Sequence, residues 1–209
     1  MDKIVICGIG SIGKKHFKII KENYPKTKIG FYRSGKGLPI GEEICPDYLF
    51  KNLNESLKWK PNGVIISSPA TFHFVNSKPF FERNIPLLIE KPLDSDFNDL
   101  KRWEEISKPF IKEKTLVGYL LRHDPACHKI KKFLNKELIG KLINIKMLNK
   151  SWLPNWRPSQ NYEETVSAKK QLGGGILLEQ SHDIDLAIGL FGKIILQNAE
   201  VYKSGLLNI

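Results

Sequence analysis

A chain of 209 residues with 41% hydrophobic, 10% aromatic and 26% charged residues carries enough apolar surface to bury a core, which excludes a disordered chain and leaves room for one large domain or two small ones. No apolar run approaches the roughly 20 residues that span a bilayer, and Met1-Asp2-Lys3 leads directly into Ile4-Val5-Ile6; neither a membrane segment nor a secretory leader is expected, and the expected location is the cytoplasm. The net charge of +11 comes from lysines scattered along the chain, as in Lys14-Lys15, Lys131-Lys132 and Lys169-Lys170, so a solvated surface that attracts anionic small molecules is expected, with no nucleic-acid partner.

Lys3–Cys7 reads as a first strand, followed by a glycine-rich turn and a helix over Ser11–Asn23, where Ile12, Ile19 and Ile20 fall at helical spacing. A second strand is expected over Lys28–Tyr32, an irregular loop over 35–41, a weak strand over Tyr48–Phe50 and a short helix over Glu55–Trp59. Val64–Ser67 is a fourth, fully buried strand, followed by a helix from His73 to Arg83, a fifth strand over Leu87–Ile89, a helix over Asp94–Ser107 and a sixth strand over Leu116–Tyr119. Short apolar runs alternating with amphipathic stretches are the pattern of βαβ units and a parallel sheet. After Arg122 the rhythm changes. A helix over Ala126–Leu134, an antiparallel strand over Leu142–Leu148, a polar loop over Trp152–Lys170, one long helix from Gly173-Gly174-Gly175 to Phe191 and a strand over Ile194–Tyr202 are expected. A late lone strand followed by the apolar Leu206-Leu207-Asn208-Ile209 leads to the expectation that this second domain is only begun.

Cys7, Cys45 and Cys127 lie far apart without C-x-x-C spacing, so no disulfide framework and no metal site are expected, and Cys7 reads as core. Gly8-Ile9-Gly10-Ser11-Ile12-Gly13 follows a strand and opens a helix. In that setting Gly8 permits the turn, Gly10 leaves room for a pyrophosphate, Gly13 lets helix and strand pack closely, and the helix start at Ser11 and Ile12 supplies positive partial charge, which points to a dinucleotide. Where an acidic residue would grip a ribose 2′-hydroxyl, the second strand ends in Tyr32-Arg33-Ser34. A guanidinium and a hydroxyl suit a 2′-phosphate, so NADP is favoured over NAD, the alternative being a solvent-facing arginine.

Lys91, within Glu90-Lys91-Pro92 after the fifth strand, stands at the carboxyl end of the sheet, where ligands bind. Its ammonium could donate a hydrogen bond to a substrate oxygen and pass a proton, and Pro92 restricts the backbone that carries it and permits a cis peptide. In a chain this rich in lysine, surface decoration is the alternative. Ser68-Pro69 and His73, beyond the fourth strand, either line the cofactor site or, for His73, cap a helix. Glu179, His182 and Asp185 fall at i, i+3 and i+6 on an otherwise apolar helix, so they share one face: either a catalytic set, with His182 as general acid/base, Asp185 orienting it and Glu179 tuning it, or a structural cluster.

Gly8-x-Gly10-x-x-Gly13, Glu90-Lys91-Pro92, Gly118-Tyr119-x-x-Arg122 and Gly173-Gly174-Gly175 leading to His182-x-x-Asp185, in this order, resemble the Gfo/Idh/MocA family of oxidoreductases across essentially the whole chain. Leu153-Pro154-Asn155-Trp156-Arg157-Pro158 is similar to a branch associated with sugar and surface-polysaccharide or nucleotide-sugar metabolism. The resemblance implies an α/β fold, with an N-terminal Rossmann doubly wound parallel sheet over 1–120 and the beginning of an α+β domain with an open antiparallel sheet over 121–209. It implies a cofactor site that includes Glu90 and Lys91, Lys91 as catalytic lysine, His182 as second catalytic group and Asp185 near the substrate. Tyr119 and Arg122 would shape the substrate pocket, with Trp156 and Arg157 as sugar contacts. Many members carry an Asp four residues before the histidine, where this chain has Leu178; Glu179 is an imperfect substitute. The activity implied is hydride transfer between NAD(P) and a sugar-like alcohol or ketone, in an enzyme that is a homo-oligomer when intact. The alternative is a truncated, catalytically incomplete NADP-binding protein.

Overall fold

Successive side chains of Lys3–Cys7 (β1) face opposite ways, and both directions are apolar: Val5 and Cys7 join one buried cluster, Ile4 and Ile6 another. A strand buried on both sides belongs inside a sheet covered by helices on both faces. The computed structural model describes residues 2–35, 41, 44–107, 114–203 and 205–209, which form two compact units, Met1–Gly118 and Tyr119–Ile209.

In the first unit β1 is joined by β2 (Lys28–Tyr32), β3 (Tyr48–Phe50), β4 (Gly63–Ile66), β5 (Leu87–Ile89) and β6 (Thr115–Val117). All pairings are parallel, in the order β3-β2-β1-β4-β5-β6. The crossovers carry α1 (Ser11–Asn23), α2 (Leu53–Lys58), α3 (His73–Phe81) and α4 (Phe97–Ser107). The chain steps outward from β1 to β3, then returns to lay β4 against the other side of β1. At such a reversal the connections leave in opposite directions and open a crevice at the carboxyl ends. Cys7 pairs with Ile66 and Ile66 with Ile89, so β1, β4 and β5 end level and their following loops emerge together.

One face is filled by Phe17 of α1, edge-on to Phe31 at 5.3 Å, with Ile4, Ile6, Ile29 and Ile65. The other is filled by Val5, Val64 and Ile66 under Phe80 and Phe81 of α3 and Trp103 of α4. Each fully buried large side chain, such as Phe31, Phe80, Ile6 or Ile89, contributes about 1.5–3 kcal/mol of transfer free energy.

Several boundaries differ from the sequence expectation for local reasons. β4 ends at Ile66, and the hydroxyl of the next residue, Ser67, donates to the Gly8 carbonyl at 2.8 Å. The helix expected from Asp94 starts at Phe97, since the Asp94 carboxylate accepts from the Ser95 N–H instead. The irregular loop expected over 35–41 lies mostly outside the described residues.

In the second unit, α5 (Pro125–Asn135) is capped by Asp124, whose Oδ1 accepts from the Ala126 N–H at 2.7 Å. Single 3-10 turns follow at Leu153–Trp156, Tyr162–Glu164, Val166–Ala168 and Lys170–Leu172, then α6 (Ile176–Glu179) and α7 (Ser181–Phe191). Two expectations fail here. Residues 142–148 and 194–202 form no strand among the described residues, so the expected antiparallel sheet is absent from them: a strand requires a neighbour to accept its N–H groups, and these segments instead expose Ile143, Leu196 and Val201. The single helix expected from Gly173 to Phe191 is two helices. Gly173 and Gly175 hold positive φ (82° and 115°) and form a turn, and Gln180, at φ −96° and ψ 19°, separates α6 from α7. No helix among the described residues is long and apolar enough to cross a membrane.

Candidate active site

The glycines after β1 do three different things. Gly8 takes φ +96°, and a Cβ there would fall 2.5 Å from the Ser68 nitrogen; at Gly13 it would fall 2.2 Å from the Gly8 carbonyl oxygen. Both positions are closed to any side chain. At Gly10 the same carbon would meet nothing within 4 Å. Gly10 is also the N-cap of α1, with no side-chain cap and no acidic residue in the first turn that Ser11 and Ile12 begin. An open approach to an uncapped helix N-terminus suits an anionic group such as a pyrophosphate.

The neighbouring strand ends converge on this turn. The Gly8 N–H donates to the Tyr32 carbonyl at 2.9 Å, which puts half-buried Arg33 and exposed Ser34 next in chain beside it. From β4, the Ser67 N–H donates to the Cys7 carbonyl at 2.8 Å, while the half-buried Ser68-Pro69 pair begins the following turn and the Ser68 hydroxyl accepts from Asn76 at 3.0 Å. Burial pushes the Cys7 thiol far up, so it is an inert core group.

From β5 come Glu90, Lys91 and Pro92, with a cis peptide between the last two. The Glu90 N–H donates to Ile66 at 2.8 Å, and its carboxylate lies 2.6 Å from His16 Nε2 with both side chains about four-fifths buried. Gly118 leaves it space, since a Cβ there would fall 3.2 Å from Glu90 Oε2. Lys91 is half-buried.

His73 departs from both of its expected roles. It is 1% exposed, with Nδ1 2.9 Å from the Pro92 carbonyl and Nε2 2.8 Å from the Ser68 carbonyl. Both ring nitrogens face backbone carbonyls, and the neutral ring donates its one N–H to one of them, so His73 lies between two loops rather than facing a cofactor or capping its own helix. Burial holds its imidazole below the ordinary value, against the pull of the Ser68 and Pro92 carbonyls and of Asp94.

In the second unit, His182 and Asp185 lie one turn apart on α7, while Glu179 ends α6; the expected three-residue stripe on one helix is therefore broken at Gln180. Asp185 meets Arg122, with Nε to Oδ2 and Nη2 to Oδ1 each at 2.7 Å; hydrogen bonding to Asp185 raises the guanidinium further. The Tyr119 ring packs edge-on against the His182 ring at 5.8 Å. Trp156, whose indole N–H donates to the Ser151 hydroxyl, and Arg157 line a shallow depression with Leu153, Tyr162, Thr165 and Ser167. Among the described residues no three His, Cys, Asp or Glu side chains are grouped to hold a metal ion.

Two residues to which the sequence reading gave no role make contacts with site residues or their chain neighbours, one in each unit. His16 stands three residues after Gly13, on the same side of α1, which was the available signal. Asn149 donates to Gln180, at the α6–α7 break, and to Asp183 of α7, each at 2.9 Å, and nothing in its local sequence marks it.

Residues 3–109 match the model of an oxidoreductase family with an NAD-binding Rossmann fold, Gfo/Idh/MocA. The chain belongs to that family. Over 168 residues this Gfo/Idh/MocA chain is 28% identical to an inositol 2-dehydrogenase of Corynebacterium glutamicum, an alignment covering 78% of the chain and 49% of the relative. It spans about half the length of the curated relatives it matches. In fold it is similar to myo-inositol 2-dehydrogenase from Lactobacillus plantarum, at TM-score 0.72 and 19% identity over 91% of this chain and 56% of that one. It is similar too to scyllo-inositol dehydrogenase from Lactobacillus casei, solved with NAD(H) and scyllo-inositol, at TM-score 0.71 and 19% identity over 92% and 56%.

Proposed function

We propose that this chain is the nicotinamide-binding part of a dehydrogenase that moves a hydride between NAD(P) and a ring carbinol of a cyclic polyol or sugar. The observation that carries this is the glycine turn at the reversal of the sheet: closed at Gly8 and Gly13, open at Gly10, and level with the loop that bears Lys91. That cradle fits a dinucleotide pyrophosphate on Gly10, Ser11 and Ile12, with Ser68 and Pro69 flanking it. Arg33 and Ser34 take an adenosine 2′-phosphate, which favours NADP.

The cofactor, when bound, supplies the hydride-accepting carbon. The Lys91 ammonium donates a hydrogen bond to the substrate's carbinol oxygen and stabilises charge that develops there. The His182 imidazole takes the hydroxyl proton, and the edge of the Tyr119 ring limits the orientations that imidazole can adopt. Asp185 acts through Arg122, which anchors α7, rather than by orienting His182 directly. Tyr119 and Arg122 shape the substrate side, with Trp156 and Arg157 stacking on and bonding to a sugar ring. Inositol 2-dehydrogenases among the relatives support a cyclic polyol, and the Leu153–Pro158 segment supports testing sugar nucleotides beside it.

The experiment is a turnover screen of myo-inositol, scyllo-inositol and UDP-sugars with NADP+ and NAD+, on the unaltered protein and Lys91→Met. Reduction of the dinucleotide that falls at least about a hundredfold in Lys91→Met supports the assignment; equal turnover in both ends it.

A further inference from the structure

Resting on Lys91 as the group that meets the carbinol oxygen, the geometry points to His16 and His73 as a pair of positioning residues that grip the chain on either side of it. Lys91 has one neighbour held by each. The carboxylate of Glu90, the residue before it, lies 2.6 Å from His16 Nε2. The carbonyl of Pro92, the residue after it, lies 2.9 Å from His73 Nδ1.

The two histidines come from opposite sides of the sheet. His16 is on α1, whose Phe17 packs with Ile4 and Ile6, whereas His73 begins α3, whose Phe80 and Phe81 pack with Val5 and Ile66. A loop restrained from one side can still pivot; restrained from both, it cannot. The neutral ring has one N–H, which the proposal assigns to Nδ1 and the Pro92 carbonyl, while Nε2 packs 2.8 Å from the Ser68 carbonyl at the loop after β4. Further along, Asp94 accepts from the Trp103 indole at 3.0 Å and from the Ser95 N–H at 2.7 Å, so the restraint continues two residues past Pro92.

Both histidines spend ring nitrogens on loops at the carboxyl ends of the strands, where the ligand binds, and not on the sheet interior. A group that hydrogen-bonds the reacting oxygen must be held to within about half an ångström of its working position, and a displacement of about 1 Å costs on the order of a hundredfold in rate. Restraints on the two residues that flank Lys91 supply that precision to a side chain whose own stem is flexible.

The test reads Lys91 directly. Lysines of the intact protein are reductively methylated with 13C-formaldehyde, the Lys91 signal is assigned by its loss in Lys91→Arg, and spectra are compared for His16→Ala, His73→Gln and the remote control Lys78→Ala. Both histidine variants are expected to shift or broaden the Lys91 signal, and Lys78→Ala to leave it in place. In oxidation of myo-inositol by NADP+, kcat is expected to fall at least about tenfold with the dinucleotide KM within about twofold, and His16→Gln, which keeps an N–H for Glu90, to recover most of the loss.

A Lys91 signal and a kcat unchanged in a cooperatively melting His16→Ala would overturn the proposal; because both restraints are required, that variant decides alone if His73→Gln fails to fold. Failure of the catalytic reading looks different: Lys91→Met would then keep full turnover, or no variant would turn over myo-inositol, while the Lys91 resonance still reports whether the histidines hold it.

Discussion

Arg122 meets Asp185 in a two-pronged ion pair, both hydrogen bonds at 2.7 Å, with the carboxylate 13% exposed and the guanidinium 45% exposed. It fastens the 3-10 turn at Leu120–His123 to α7 one turn beyond His182. Lysine cannot reproduce the planar fork. Arg122→Lys is therefore expected to cost about 1 kcal/mol, screened by the open side of the pair. A double-mutant cycle with Asp185→Asn should return most of that as coupling energy, and strict additivity would show that the pair does not anchor α7.

Gly13→Ala places a carbon where the Gly8 carbonyl oxygen already lies, 2.2 Å away, and 2.8 Å from the Ser67 hydroxyl. Because the nearest obstacle is backbone, the turn itself must move. The expected cost is about 1–3 kcal/mol in chemical denaturation, with loss of dinucleotide affinity in the same variant. An alanine that folds and binds as well as glycine would mean the turn is looser than its geometry implies.

How much of this was visible in the sequence depended on range. The limits of β1, α1, β2, β3 and β5 follow from patterns among near neighbours, and the glycine spacing carried its geometry with it. The ring of His16 and the carboxylate of Glu90, 74 positions apart, meet only because the β1–β4 reversal sets α1 beside the β5 loop, and no local period encodes that. His73 looked like a ligand or a cap because the sequence shows a polar side chain but not the two carbonyls that surround it. The alternation at 142–148 and 194–202 is real, yet alternation records a preference for pairing and does not supply the partner. On α6 and α7, apolar spacing continued through Gln180, and the break coincides with a long-range contact that no local pattern shows, Asn149 donating to Gln180 and to Asp183 of α7.

Arg33 follows β2 where an acidic residue would favour an unphosphorylated ribose. Arg33→Glu is expected to weaken NADPH binding about tenfold or more, equivalent to about 1.4 kcal/mol, and to leave NADH binding equal or improved. Fluorescence titrations with both dinucleotides measure it. An unchanged ratio would remove Arg33 from cofactor selection.

Acid should weaken the first unit in two stages. Burial lowers the His73 value in the folded protein, so the unfolded chain takes up the proton more readily. The stability tied to the neutral ring is whole above the unfolded value near pH 6.5 and is lost as pH falls below it. For Asp47, partial burial would raise the carboxyl, but the Ile29 N–H at 2.8 Å and the Lys21 ammonium at 2.9 Å outweigh it and the net shift is downward. Its contribution is whole above about pH 4 and is lost on further acidification. Melting temperature against pH should show both steps, the first reduced in His73→Gln and the second in Asp47→Asn. A flat profile between pH 7 and 5 would contradict the His73 assignment.

Dinucleotide binding at the glycine turn is tested most directly at Gly10, where a methyl group has room in the fold but would occupy the space proposed for the pyrophosphate. NADPH fluorescence is titrated with the unaltered protein and with Gly10→Ala. Saturable binding that weakens at least about tenfold in the variant, with folding stability within about 0.5 kcal/mol, is the expected result. Equal affinity in the two proteins, or no saturable binding by either, would contradict it.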